Sequence, residues 1–160
     1  MPGKKTVDAI DAEILVALIE DPRATAVALA EKTGISRNTV QARLAKLDDR
    51  GALHSFERRI DPSALGYPLT AFILTSVTQR KLSAIAIALE SIPEVLQVHG
   101  LSGVTDLLIH VVARDTDDLY RVAGRILDIH GVVQTTTALA MRQLLDYRIT
   151  PLLRQVTEHL

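Results

Sequence analysis

At 160 residues the chain has room for one large domain or two small ones, each able to bury a core. A hydrophobic share of 48% beside 23% charged residues excludes wholesale disorder, and the absence of cysteine excludes a disulfide framework, a thiol nucleophile and a zinc finger. The formal net charge is -1, yet residues 36–50 set Arg37, Arg43, Lys46 and Arg50 against Asp48 and Asp49, a local net of +2. Apolar runs fall far short of the roughly 20 residues that span a bilayer. The opening MPGKKTVDAID lacks the apolar region and cleavage site of a secretory signal, so the expected location is the cytoplasm, with no membrane partner.

Val7–Glu20 is predicted as a helix with Asp8 as N-cap and Ile10, Ile14 or Leu15, and Leu18 turned inward; Asp21-Pro22 ends it. Ala24–Gly51 then reads as two helices around the turn Gly34-Ile35-Ser36. Val27, Leu29 and Ala30 give the first an apolar side; Val40, Leu44 and Leu47 recur at i, i+4 and i+7 in the second. Ser36 stands at the N-cap and Gly51 at C′. In Ala52–Ile60, Leu53, Phe56 and Ile60 do not alternate cleanly, but the glycine and proline boundaries suggest short strands or a wing. Residues 1–60 are thus expected as one domain, and Asp61–Leu69, with two prolines and a glycine, as a hinge.

From residue 70 the pattern changes. Thr70–Thr78 reads as a strand, Lys81–Ile92 as a helix, Val95–His99 and Asp106–Ala113 as strands, and a second helix follows the cap residues Asp115, Thr116, Asp117 and Asp118, ending at Gly131. Val132–Met141 is the last strand, with a further short one near Leu145–Ile149, and Pro151 opens a helical tail over 151–160. A faint repeat, Ile92–Gln97 against Ile129–Gln134, supports two β-α-β units over 70–150. Two such units give a ferredoxin-like βαββαβ sandwich with both helices on one face, so the whole chain is α+β. In Asp106–Ala113, Leu107, Ile109 and Val111 point one way and Leu108 and Val112 the other. Helices cover only one face, so the second is expected to meet another copy of the chain.

In order and spacing, the chain resembles the Lrp/AsnC (leucine-responsive or feast/famine) family of transcriptional regulators over nearly its whole length. The residues that carry this are Val7-Asp8-Ala9-Ile10-Asp11 with Ile14-Leu15, Asp21-Pro22-Arg23, Leu29-Ala30, Gly34-Ile35-Ser36, Thr39-Val40, Arg43-Leu44, Leu47 and Gly51-Ala52-Leu53; then Leu65-Gly66, Leu101-Ser102-Gly103, Asp106-Leu107-Leu108, and Gly131-Val132-Val133 with Thr135 and Thr137. The resemblance implies a winged helix-turn-helix joined to a ligand-sensing domain of the RAM or ACT-like type, a homodimer that commonly assembles into an octamer, and an amino acid or related effector bound between dimers. By the same resemblance the effector site lies near Gly103, Val104, Thr105 and Asp106 and near Thr135 and Thr137. Thr105 occupies a position often aromatic in relatives.

At 100° per residue from Val40, the surface opposite the buried stripe presents Asn38, Gln41, Ala42, Ala45 and Lys46, with Arg37 on the shoulder. Arg suits guanine O6/N7, Asn or Gln suits adenine N6/N7, and alanine suits the thymine methyl. A polar face can be merely solvated; the preceding turn and companion helix direct this one toward double-stranded DNA. The expected DNA-contacting residues are therefore Ser36, Arg37, Asn38, Gln41, Ala42, Arg43 and Lys46. Thr25, Thr39, Arg43 and Lys46 suit phosphate contact or packing better than base reading. Asp106 and Thr135 either hold an effector's ammonium and carboxylate groups or simply cap a turn and favour a strand. The five histidines, His54, His99, His110, His130 and His159, have no i, i+4 pair, and neither a phosphate-binding loop nor a nucleophile elbow is present, so no metal, cofactor or enzymatic activity is expected. The expected function is a sequence-specific, effector-responsive DNA-binding regulator, with a nucleoid-type architectural protein as the alternative.

Overall fold

The computed structural model describes residues 6–158. Expectations for residues 1–5 and 159–160, His159 among them, lie outside the described residues. The chain forms two compact units: residues up to Arg58 together with those from Leu145 onward, and Arg59–Leu144.

The first unit holds α1 (Ala9–Glu20), α2 (Ala26–Thr33), α3 (Arg37–Asp49) and α6 (Thr150–Glu158). Asp8 opens α1 with a reciprocal capping box: its carboxylate accepts from the Asp11 amide at 2.9 Å, and the Asp11 carboxylate accepts from the Asp8 amide at 3.4 Å. Ile14, Ala17, Leu29 and Val40 form the centre of the core, with Leu18, Ala26, Ile35 and Leu44 packed around them. Ile10 and Val27, expected inward, are exposed; Ala12 and Ala17 are buried instead. α6 packs along α1. Ala12 lies about 160° around the helix from Ile14, so α1 is covered on two sides, consistent with its apolar residues running all the way round.

Between α2 and α3 the chain reverses at Gly34, whose φ of 71° lies in the left-handed region that a side chain disfavours. Two residues later Ser36 caps α3, its Oγ accepting from the Thr39 amide at 3.2 Å. At the other end, the Gly51 amide donates to the Asp48 carbonyl and the Ala52 amide to the Leu47 carbonyl. The strands expected over 52–60 are absent: Phe56–Arg59 forms a 3-10 turn. Leu53, Phe56 and Ile60 are spaced at three and four residues, the period of a helical turn and not of a strand. A second 3-10 turn, Pro62–Leu65, follows Asp61, which caps it through the Ser63 amide.

The second unit is a four-stranded antiparallel sheet with two helices. Its elements are β1 (Leu69–Val77), α4 (Leu82–Glu90), β2 (Val95–Gly100), β3 (Leu107–Ala113), α5 (Thr116–Leu127) and β4 (Val132–Leu139), and the strand order is β2-β3-β1-β4. Ile85 and Leu89 of α4 and Leu119, Val122 and Ile126 of α5 pack on Ala71, Ile73, Leu107, Ile109 and Val111. The opposite face carries Thr70, Phe72 and Leu74 of β1 directly across from Val112, His110 and Leu108 of β3. Neither strand places a formally charged side chain there. Phe72 and His110 stack with centroids 4.9 Å apart and planes at 21°. No strand forms at Leu145–Ile149, and β4 ends at Leu139; the Ile149 carbonyl accepts from the Leu152 and Leu153 amides and so starts α6. Among the described residues no helix is long and apolar enough to cross a membrane.

An ionic clasp fixes the start of α5 to the start of β2. The buried Asp118 carboxylate accepts from the Arg114 amide at 3.0 Å and from Arg121 Nη2 at 2.7 Å, and Arg121 also reaches the buried Glu94 at 2.5 Å. The Arg114 amide first, then the Arg121 guanidinium, hold the Asp118 pKa down to about 2.

Two predictions follow from these contacts. Ser36→Ala removes the α3 cap and should lower stability by about 1 kcal/mol in denaturant unfolding. Asp118 contributes stability that is complete above the ordinary carboxylate pKa of 3.8 and is lost as pH falls toward about 2. Acid titration of wild type should therefore show a stability loss across that window which Asp118→Asn makes smaller; identical pH profiles would contradict a stabilising role for the clasp.

Candidate nucleic-acid interface and effector loop

The expected reading surface forms one continuous patch on α3. Arg37, Asn38, Gln41, Ala42, Ala45 and Lys46 are exposed, while Val40 and Leu47 are buried beneath them. The first turn of α3 carries no acidic residue, so its positive end is left to an incoming anion. Ser36 Oγ lies 2.8 Å from Thr39 Oγ1 and caps the helix, so its place in the patch is to shape the first turn.

Arg43 differs from its neighbours. It lies about 60° from Val40 on the buried shoulder, and its Nη1 donates to the Asp8 carboxylate and, at 3.0 Å, to Asp11 Oδ1. Its charge is directed toward α1, and the packing role is the one its geometry fits. These partners lie 35 and 32 residues away, and only the capping pattern of Asp8 marked them in advance.

On the second unit, residues 101–106 connect β2 to β3. Gly103 has φ of 142°, a conformation few side chains tolerate, and Val104 is fully exposed. Asp106 closes the loop: its carbonyl accepts from the Leu101 amide at 2.8 Å, and its amide donates to the Thr75 carbonyl at 3.0 Å. Its carboxylate accepts from the Val77 amide at 2.8 Å and from Gln79 Nε2 at 2.6 Å. Asp106 thus performs the turn-capping work, and Gln79 is a partner that spacing did not reveal.

Thr135 and Thr137 lie on β4 across from Thr75 and Ile73 of β1, with Thr135 half-buried and Thr137 exposed. β1 lies between these threonines and β3, whose first residues adjoin the loop. Within one chain the 103–106 loop and the two threonines therefore lie on opposite sides of β1. Thr75, fully buried between the two sides, went unmarked because a threonine in a strand carries no distinguishing signal. On the open face, His110 Nε2 is excluded from solvent and has no hydrogen-bond partner among the described residues, and burial holds the ring's pKa below its usual value.

Residues 70–150 match the Lrp/AsnC ligand binding domain and residues 7–48 the AsnC-type helix-turn-helix domain. The chain is 32% identical over 136 residues to the HTH-type transcriptional regulator FL11 of Pyrococcus horikoshii, spanning 85% of this chain and 90% of that protein. In structure it is similar to E. coli AsnC, with a TM-score of 0.81 and 26% identity over 91% of this chain and 99% of that one. It is also similar to a Neisseria meningitidis transcriptional regulator in complex with L-Met, with a TM-score of 0.77 and 28% identity over 88% of this chain and 94% of that one. The two domain matches follow one another in the same order as the reading helix and the sheet, and the chain belongs to the Lrp/AsnC family of transcriptional regulators.

Proposed function

We propose that this protein is a cytoplasmic, sequence-specific regulator of transcription that reads DNA with α3 and responds to an amino acid through its second domain. The observation that carries the first part is the exposed α3 patch: Arg37, Asn38 and Gln41, with groove-reading chemistry, project from a capped helix whose opposite side is fully packed. Arg37, Asn38, Gln41 and Ala42 read base edges, Lys46 meets phosphate, Ser36 shapes the first turn, and Arg43 acts from behind. Selection from random duplexes should enrich a site, and Arg37→Ala and Asn38→Ala should each then cost roughly 1–3 kcal/mol at it in a binding titration. Enrichment of no sequence would favour the architectural, nucleoid-type alternative. Unchanged affinity and base preference in both variants would remove these residues from the reading.

The chain acts as a homodimer formed through the open face of the sheet, and dimers assemble further, up to an octamer. What supports the dimer is a face of Phe72, Leu74 and Leu108 that the two helices leave uncovered. Leu108→Asp sets an unpaired charge in that face, at a cost of several kcal/mol. Sedimentation should therefore show dissociation at concentrations where wild type is paired; an unchanged assembly would exclude this face.

The effector is an amino acid seated between dimers, against Gly103, Val104, Thr105 and Asp106 and the hydroxyls of Thr135 and Thr137. The Neisseria relative's complex with L-Met makes L-methionine the first candidate. Asp106 keeps the loop folded and offers its remaining lone pairs to the ammonium group, while a threonine hydroxyl donates to the carboxylate. Calorimetry over an amino-acid panel should find a ligand that Thr135→Val weakens roughly tenfold, about the worth of one hydrogen bond; no heat with any amino acid would contradict the effector reading.

A further inference from the structure

The contact of Arg43 with α1 has a consequence for DNA reading. Asp11 has 4% of its side chain exposed, and a buried carboxylate needs a partner for its charge. Arg43 Nη1 supplies it and at the same time engages Asp8, the residue that caps α1. One guanidinium therefore joins α3 to both members of the α1 capping box. The bond attaches to the second turn of α3, one turn beyond Asn38 and two residues beyond Gln41, and about 140° around the helix from Asn38. Arg43 itself has 26% of its side chain exposed, against full projection of its neighbours Ala42 and Lys46.

We propose that Arg43 is a positioning residue for DNA recognition: its link to Asp8 and Asp11 fixes the rotation of α3 about its own axis and so aims Asn38 and Gln41 at base edges, without itself touching the phosphates. A base contact must be held within about half an ångström of its productive geometry. The apolar stripe of Val40, Leu44 and Leu47 resists withdrawal of α3 but resists rolling only weakly, because hydrophobic contact has no preferred direction. A directional, charge-assisted bond off the side of that stripe supplies the missing constraint. This inference rests on the DNA-reading function proposed above.

The test compares Arg43→Lys, Arg43→Met and Asp11→Asn with wild type on a selected duplex and on a random one, across a salt series. The expected result is that all three lower the ratio of selected to random affinity about tenfold, leave the slope of log K against log salt unchanged, and combine in Arg43→Met/Asp11→Asn with no further loss. Both bonds come from Nη1, one bond farther from the backbone than a lysine ammonium reaches, so Arg43→Lys keeps the charge but should behave like methionine. A direct phosphate contact predicts the opposite pattern: the slope shallower by about 0.9 in Arg43→Met, Arg43→Lys close to wild type, and Asp11→Asn binding more tightly because it frees the guanidinium. That pattern, or unchanged ratios throughout, overturns the proposal. Amide exchange over residues 37–49 in free protein supplies an arm independent of DNA: Arg43→Lys and Asp11→Asn should exchange faster than wild type there with the helical circular-dichroism signal intact, and equal rates would overturn the link. Failure of wild type to select any duplex would instead count against the DNA-reading function, with the exchange arm still deciding whether Arg43 restrains α3.

Discussion

Two helices can cover one face of a four-stranded sheet, and in this protein α4 and α5 lie on the same one. Ile85, Leu89, Val122 and Ile126 fill that side so completely that all four are at most fractionally exposed. The strands nevertheless stay apolar on the other side, where Phe72 and His110 stack between Leu74, Leu108 and Val112. Antiparallel sheets usually turn a polar face to water. An uncharged second face is what remains when the sheet has a further packing duty, and pairing of two chains is the simplest symmetric way to discharge it. His110 adds a specific cost there, since its Nε2 is already shielded from solvent without a partner.

In the proposed dimer the helix-turn-helix gains its affinity from this arrangement. With a formal net charge of -1, the chain has no broad field to draw it to DNA. Its basic residues are local, and Arg43 is spent on Asp8 and Asp11. Arg37 stays exposed at the N-terminal end of α3, whose dipole favours phosphate, and Lys46 stays exposed in its last turn. So small a charge supports modest binding by one head. Two heads joined through a dimer raise the effective concentration of the second by orders of magnitude without new contacts.

Much of this was legible in the residues because the local signals agreed with one another. Ser36 and Gly34 marked the turn, Val40, Leu44 and Leu47 marked the buried side of α3, and the alternation through Leu107, Ile109 and Val111 separated the two apolar faces of the sheet. What escaped was set by contacts distant in sequence. Ala12 is buried on the side of α1 away from Ile14, and α6, more than a hundred residues on, lies along that helix; α6 read only as a tail. The 52–60 segment was taken for strands on its glycine and proline boundaries, although its apolar spacing of three and four already described a helical turn. Arg43 read as suited to phosphate contact or packing alike, and Asp106 as equally suited to a turn or a ligand. Only their partners, Asp11 in one case and Val77 with Gln79 in the other, separate the roles.

Whether two weakly charged reading helices act as one unit is decided by binding of the protein to duplexes carrying one half-site, two half-sites one helical turn apart, and two half-sites displaced by a further half turn. Symmetric pairing places both reading helices on the same side of the duplex only in the second case. The account predicts binding to the in-phase pair at least 100-fold tighter than to either of the other two at equal salt. Equal affinity per half-site, whatever the spacing, would contradict it.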